Sequence, residues 1–368
     1  MATTYVRSLG LKAVRPRVYL EHFDPLLMLA LLGVIVFGMT ILYRDQDVLF
    51  AQTVRIAIGV LGLVLAAQVD PRVYLRWTLP VYFGGLALLV VTPFVGVTVN
   101  GSTRWLEAPG GLRFQPSELM KIAIPMMLGW YFHRHRMPPR FGDVAVGLLI
   151  VAVPALLIIR QPDLGTAVLL SAGGLGVIVL SGIRWRWIFA ALGLAAAAAP
   201  GLWMIMREYQ RDRVRTLFDP EQDPMGAGWN IIQSKTAVGS GGVFGKGLDQ
   251  GTQSRLDFLP ESHTDFIVAV IGEELGLVGV TLLLVLYLAV LARGLYIATQ
   301  ASTTFARLLV GGVMLTFFVY VFVNIAMVCG LFPVVGVPLP LVSFGGTSAI
   351  SLLVGFGIVM SVHTHRNW

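Results

Sequence analysis

The sequence predicts an all-α polytopic membrane protein with ten transmembrane helices. Three observations carry that expectation. Of the 368 residues 56% are hydrophobic and only 13% are charged, against about 25% charged in a soluble domain. Apolar blocks about 20 residues long, enough to cross a bilayer, recur along the chain. The basic residues fall between those blocks and favour one side. Mean hydropathy is +0.77. The net charge of +7 gathers into no continuous run or aromatic-interleaved patch, so no nucleic-acid partner is expected. A single cysteine, Cys329, excludes a disulfide framework and a Cys-based metal site.

Taken in order, the expected spans are 25–43, 48–69, 77–98, 117–133, 143–159, 164–182, 188–206, 265–292, 306–329 and 347–363, within one domain covering 1–368. The first follows a basic segment but has no small-residue cleavage site after it, so it reads as a retained helix and not a removed signal. The second carries Arg55. The fourth is the least apolar, because it contains Glu118 and Lys121. Only Arg160-Gln161-Pro162-Asp163 separates the fifth from the sixth. The seventh contains the Ala195–Ala199 run, a helix-packing pattern, and a long connector over 207–264 precedes the eighth.

With a cytoplasmic N-terminus, fourteen Lys and Arg lie on the cytoplasmic side, among them Arg7, Lys12, Arg15, Arg17 and Arg366. The short opposite loops hold four: Arg44, Arg104, Arg113 and Arg160. That bias sets both termini in the cytoplasm and the 207–264 loop outside.

Asp265 is the carboxylate to explain, since it ends a polar segment where a long apolar stretch begins. An ionisable group at such a boundary is solvated by the interface or held by a cation for a purpose. Three outward segments are richer than connectors need to be. The first runs from Asn100 to Lys121, with Ser117 positioned to cap a helix and Glu118 and Lys121 on one face. A local ion pair would explain those two, but Lys121 lies about one turn inside the membrane, where an ammonium is costly. The second is the long loop, where Arg213 and Arg215 belong to a cationic cluster that could also anchor anionic lipid. Its Gly239–Gly247 stretch lacks the Gly-Lys-Ser/Thr ending of a nucleotide loop and reads as a flexible lid or backbone anion site. The third is the charge-free 336–348 segment, which includes Ser343. Irregular apolar backbone of this kind sits at membrane depth only when buried in protein or lining a cavity. Arg55, Asp163, Glu273 and Glu274 read as structural ion pairs that fix helix register. The six histidines show no metal-ligand spacing.

These residues resemble a known family, the SEDS (shape, elongation, division and sporulation) membrane proteins, and within it the RodA type. The carriers are Arg104-Trp105-Leu106, Phe114-Gln115-Pro116-Ser117-Glu118 with Lys121, and Gln161-Pro162-Asp163-Leu164-Gly165-Thr166. Further along come Gln210-Arg211-Asp212-Arg213-Val214, Gln233-Ser234 with Gly239-Ser240-Gly241-Gly242, His263-Thr264-Asp265-Phe266, Glu273-Glu274-Leu275-Gly276 and the Pro338–Gly346 run. The resemblance covers essentially the whole chain.

It implies a peptidoglycan glycosyltransferase that polymerises lipid II outside the cytoplasmic (inner) membrane during cell elongation. It also implies a class B penicillin-binding protein as transpeptidase partner. The residues by themselves would equally suit a lipid II flippase or other polyprenol-lipid transporter. Under the enzyme reading Asp265 is the general base, and Arg104, Lys121, Arg213 and Arg215 are candidates to face the departing pyrophosphate. Glu118, His263, Thr264 and Ser343 complete the expected substrate contacts. Lys121 could instead pair with Asp265 in the resting state. A divalent cation, Mg2+ or Mn2+, could share the pyrophosphate, although no ligand set is legible.

Overall fold

The computed structural model describes residues 23–99, 102–108, 112–222, 226–255 and 261–365. The N-terminal basic residues, Asn100-Gly101 and Arg366 lie outside that set.

Helices stand at all ten apolar segments: α1 (Pro25–Leu42), α2 (Gln46–Gln68), α3 (Pro71–Val95), α4 (Pro116–His133), α5 (Phe141–Arg160), α6 (Leu164–Leu180), α7 (Trp185–Ile205), α11 (Ile267–Thr299), α12 (Thr304–Val328) and α13 (Ser348–Thr364). Six of them (α1, α2, α3, α5, α11 and α12) are long and apolar enough to cross a membrane, while α6 and α13 are shorter apolar helices. Local chemistry sets the starts. Asp24, Asp45, Asp70 and Asp163 accept backbone N–H groups in the first turns of α1, α2, α3 and α6, satisfying donors that have no intrahelical partner. The third helix begins at Pro71, six residues before the expected span, because Asp70-Pro71 is a cap followed by a proline at the first helical position.

The long connector is not a structureless lid. It holds α8 (Glu208–Phe218), a 3-10 turn (Pro220–Gln222), α9 (Ala227–Ser240) and α10 (Thr252–Arg255). The all-α expectation also needs one addition, a small antiparallel sheet between α3 and α4. Its strands β1 (Val97–Val99), β2 (Ser102–Ala108) and β3 (Leu112–Phe114) pair in that order. Val97, Thr98, Val99 and Thr103 are β-branched and suit a pleated surface, and the Thr98 and Thr103 hydroxyls meet at 2.8 Å across the pair.

α4 and α12 form the centre of the bundle. Fourteen residues of α4 are buried, Glu118 and Lys121 among them. One apolar core joins α1, α11, α12 and α13, and a second joins α3, α4, α5 and α6. α1 and α11 run antiparallel. At one end the Arg293 guanidinium makes a two-nitrogen contact with the buried Asp24 carboxylate, Nη2 at 2.6 Å and Nε at 3.0 Å, and His363 of α13 adds a contact at 3.2 Å. At the other end α11 begins just after Asp265.

Candidate active site

Asp265 lies in the turn 261–266 ahead of α11. Thr264 and Phe266 both donate backbone N–H groups to the Glu261 carbonyl, and the buried Phe266 ring anchors the turn in the core. The charge-free loop before α13 holds the turn from the other side. Phe344 donates its N–H to the His263 carbonyl at 2.9 Å, and the Ser343 hydroxyl donates to the Thr264 carbonyl. Asn324 of α12 donates its amide to both the Asp265 carbonyl (2.9 Å) and the Val337 carbonyl (2.6 Å). The backbone beneath the carboxylate is thus fastened by three residues from two elements distant in sequence.

The Asp265 carboxylate sits over Gly336, where a Cβ would stand 3.5 Å from Oδ2. Burial, reinforced by the Glu261 charge and only partly offset by Arg104, pushes its pKa up to about 6. Desolvation disfavours the charged form of any carboxylate, so this group holds a proton more firmly than an ordinary aspartate.

Arg104 approaches from β2. Its Nη1 lies 3.3 Å from Asp163 Oδ2, and its Nε is buried without a hydrogen-bond partner among the described residues. Asp163 is itself held: it caps α6 through the Thr166 N–H and hydroxyl, and it accepts the Gln115 amide at 3.0 Å. Neighbouring strand residues point to opposite faces, and Trp105 accordingly reaches the loop side, with its ring edge 3.5 Å from a Cβ built on Gly346.

Lys121 is engaged elsewhere. Its ammonium lies 2.7 Å from Glu118, donates to the Ser348 hydroxyl at 2.8 Å and stands 4.2 Å from the Tyr320 ring centre. Ser351 donates to Glu118 Oε2, the same oxygen that faces the ammonium. The resting-state Lys121–Asp265 pairing is replaced by this α4–α13 network, because a partner three residues away on the same helix face costs less ordering. Ser117 does not cap α4, whose N-cap is Gln115. The hydroxyls of Ser117, of Tyr320 on α12 and of Thr347 at the start of α13 are buried, and each lacks a hydrogen-bond partner among the described residues.

Arg213 and Arg215 are on α8. Arg215 bonds Glu208 and Asp212 of its own helix, and no described contact brings either arginine to Asp265. The side chains of His263 and Thr264 are half-buried; Thr264 donates to Glu261. Of the four residues expected in structural ion pairs, Asp163 has Arg104 and Glu273 has Lys246 at 2.8 Å. Glu274 has no described ion pair of its own. Arg55 stands 4.1 Å over the Phe344 ring, and no carboxylate meets it among the described residues.

The glycine stretch 239–247 is a clasp on α11, not an anion loop. Lys246 and Gly247 donate to the Glu273 and Glu274 carbonyls, and Leu277 and Val278 donate back to Gly242 and Val243. These bonds form where α11 is interrupted at Gly276 (φ 65°). Gly242 (φ 59°) and Gly245 (φ 78°) adopt backbone that other residues rarely take. The Gly245 N–H is taken by the Gly241 carbonyl.

Sequence reasoning missed Asn324, Tyr320, Ser348 and Ser351. Asn324 carried a legible signal, as a lone amide inside an apolar span. No group of three His, Cys, Asp or Glu able to hold a metal ion is present among the described residues.

The geometry has counterparts among known proteins. The FtsW/RodA/SpoVE family, described as cell cycle proteins, matches residues 21–368. The peptidoglycan glycosyltransferase MrdB of Escherichia coli is 50% identical over 350 residues, covering 94% of each chain. The probable peptidoglycan glycosyltransferase FtsW of Trichlorobacter lovleyi is 34% identical over 370 residues, covering 96% of each. A chain from a structure of a peptidoglycan synthase complex coordinating polymerisation and crosslinking superposes with a TM-score of 0.84 at 31% identity, covering 94% of this chain and 98% of that one. The crystal structure of the Thermus thermophilus rod shape determining protein RodA gives a TM-score of 0.72 at 28% identity, with the same coverage.

Proposed function

The chain belongs to the FtsW/RodA/SpoVE family, and from that premise we propose how its residues perform the work of a RodA-type peptidoglycan glycosyltransferase in rod-shape elongation. In this reading the ten helices cross the inner membrane with both termini cytoplasmic, and the Asp265 end of the bundle faces outward. The substrate is lipid II, a disaccharide-pentapeptide on a polyprenyl pyrophosphate.

Polymerisation joins a sugar hydroxyl of one substrate to the anomeric carbon of another. As the new C–O bond forms, the hydroxyl proton passes to the Asp265 carboxylate. The bond from the anomeric carbon to the pyrophosphate breaks, and the leaving group departs with the electron pair. A base is most effective when its pKa approaches the working pH, and such a group contributes about 10²–10⁴-fold. Asp265, with its pKa near 6, is ionised at neutral pH and more basic than a solvated aspartate.

Charge builds on the pyrophosphate during departure, so cations fixed beforehand favour the transition state over the ground state. Arg104 is the best candidate, since Asp163 holds it and its Nε has no partner. Lys121, already neutralised by Glu118, serves better as a buried post for α4 and α13 that shapes the site. The polyprenyl tail gains about 0.8 kcal/mol per CH₂ by staying in lipid, so the donor reaches the site sideways between helices. A class B penicillin-binding protein would crosslink the product strands. The synthase complex among the similar structures supports that partner.

One observation carries the mechanism: Asp265 is a half-buried carboxylate on a turn held by Asn324, Ser343 and Phe344, with Arg104 as its opposing cation among the described residues. The test is purified protein with lipid II, with and without the transpeptidase partner, analysed for glycan chains. Chain formation that requires Asp265 supports the mechanism. Movement of lipid II across vesicles without polymer would favour the transporter reading.

A further inference from the structure

At the Asp265 end of the bundle, away from the turn 261–266, the end of α1, the start of α2, residues 248–249 and Glu274 enclose a groove of about 700 Å³. That lies within the range of small-ligand pockets, about 300–1,000 Å³. Its floor is apolar. Val36, Met39 and Tyr43 recur at helical spacing down one face of α1, and Leu49 and Leu248 close the far wall.

Its rim is charged and unbalanced. Arg44 meets Asp249 at 3.5 Å, a loose contact through Nε alone. Both are partly exposed. Glu274 also faces the groove but is only 4% exposed. Its carboxylate accepts the Asp249 backbone N–H and has no described ion pair. Two carboxylates thus share one guanidinium at the lip of an apolar trough that opens along a membrane helix.

We propose that this groove binds a phospholipid whose headgroup joins a phosphodiester to a primary ammonium, the ethanolamine type. Glu274 and Asp249 take the ammonium, Arg44 takes the phosphate through its terminal nitrogens, and the α1 face carries the first methylenes of an acyl chain. The ammonium supplies the missing positive charge, and its N–H donors fit carboxylate acceptors. A choline headgroup has no N–H to donate. A glycerol headgroup adds a third negative charge and nothing to neutralise Glu274. The eight residues from Val36 to Tyr43 rise about 10 Å, room for the glycerol and the upper part of one chain. This assignment is independent of the polymerase mechanism.

The test is native mass spectrometry of the full chain in detergent with an equimolar mixture of ethanolamine, glycerol and choline phospholipids of matched chains. Several-fold preferential retention of the ethanolamine lipid is expected. Glu274→Gln and Arg44→Gln should each reduce that preference at least threefold. Thr40→Trp, which fills the groove from an exposed position, should lower retention of all three lipids. Asp249→Asn, at a solvent-facing site, takes the place of Glu274→Gln if the latter does not fold. Equal retention of the three lipids, a preference for the glycerol lipid, or an ethanolamine preference that survives these substitutions would overturn the proposal.

Discussion

The Arg104 guanidinium lies 3.3 Å from the Asp163 carboxylate, and that contact fixes a cation beside Asp265 without spending it there. Asp163 is held in turn by Thr166 and Gln115. The chain from α6 through Asp163 to Arg104 therefore sets how much positive charge the base feels. Among the described residues Arg104 lowers the Asp265 pKa, against burial and Glu261.

The first prediction concerns pH. A base must be ionised, so polymerisation should rise through a midpoint near pH 6 and level off above it. Glu261→Gln removes a negative neighbour, which lowers the Asp265 pKa and moves the midpoint to lower pH. Arg104→Gln removes the cation, so the midpoint should move up and the plateau should fall. Initial rates of lipid II consumption against pH give all three profiles. A midpoint that ignores both substitutions would remove Asp265 from the role.

Asp265→Asn should cut polymerisation by at least 10²-fold, the lower bound for losing a general base. The turn should survive, because Asn324, Ser343 and Phe344 bond the backbone of 263–265 and not the carboxylate. Unchanged thermal unfolding in detergent with no glycan product is the expected pair of results. Wild-type polymer yield would contradict the assignment.

Much of this was legible in the chain. Apolar block length gave helices at ten segments, and the Asp265, Arg104 and Ser343 segments do converge. What was not legible depended on distance in sequence. Lys121 could have reached Asp265 or Glu118, and only the packing of α13 against α4, with Ser348 and Ser351, settles the partner. Arg213 and Arg215 looked available because charge counts carry no direction, yet Arg215 is spent on Glu208 and Asp212. The glycines of 239–247 signalled close backbone approach without revealing what approached. Asn324 carries a signal the spans alone do not show, since an amide in a span has to bond something, here the Asp265 and Val337 carbonyls.

Lys121→Met should impair both stability and activity. Lys121 and Glu118 are both buried, and breaking a buried pair from one side costs about 3–5 kcal/mol. The double substitution Lys121→Met with Glu118→Gln removes the stranded charge and should recover most of the stability. Activity that returns with it would make the pair a structural post. Activity that stays low would give the ammonium a part in substrate handling. Unfolding temperature and polymer yield on the same preparations separate these outcomes.

Asp24 offers a test of the opposite end. Burial would raise its pKa, but the Arg293 and Leu27 hydrogen bonds outweigh it and hold the carboxyl below its usual 3.8. A depressed folded-state pKa gives stability that is present above the unfolded value and lost as pH falls through the folded one. Asp24→Asn should therefore cost about 3 kcal/mol at neutral pH, with a deficit that shrinks below about pH 4. Thermal unfolding at pH 7 and pH 3.5 measures it, and an equal deficit at both would show that charge is not the cause.

The clasp on α11 makes the sharpest structural prediction. At Gly245 the backbone has φ 78°, and an added Cβ would collide with the Glu274 carbonyl and the Leu275 nitrogen. None of those atoms is the flexible end of a side chain, so the backbone itself would have to move. Gly245→Ala should then pay the left-handed strain, about 1–3 kcal/mol, and weaken the bonds from Lys246 and Gly247 to α11. Gly239, which has open space around its Cα, is the control, and Gly239→Ala should be tolerated. Loss of the clasp frees the 248–255 segment from Glu273, so limited proteolysis should cut Gly245→Ala there faster than wild type or Gly239→Ala. Matching digestion of all three proteins would mean that the clasp does not hold the connector.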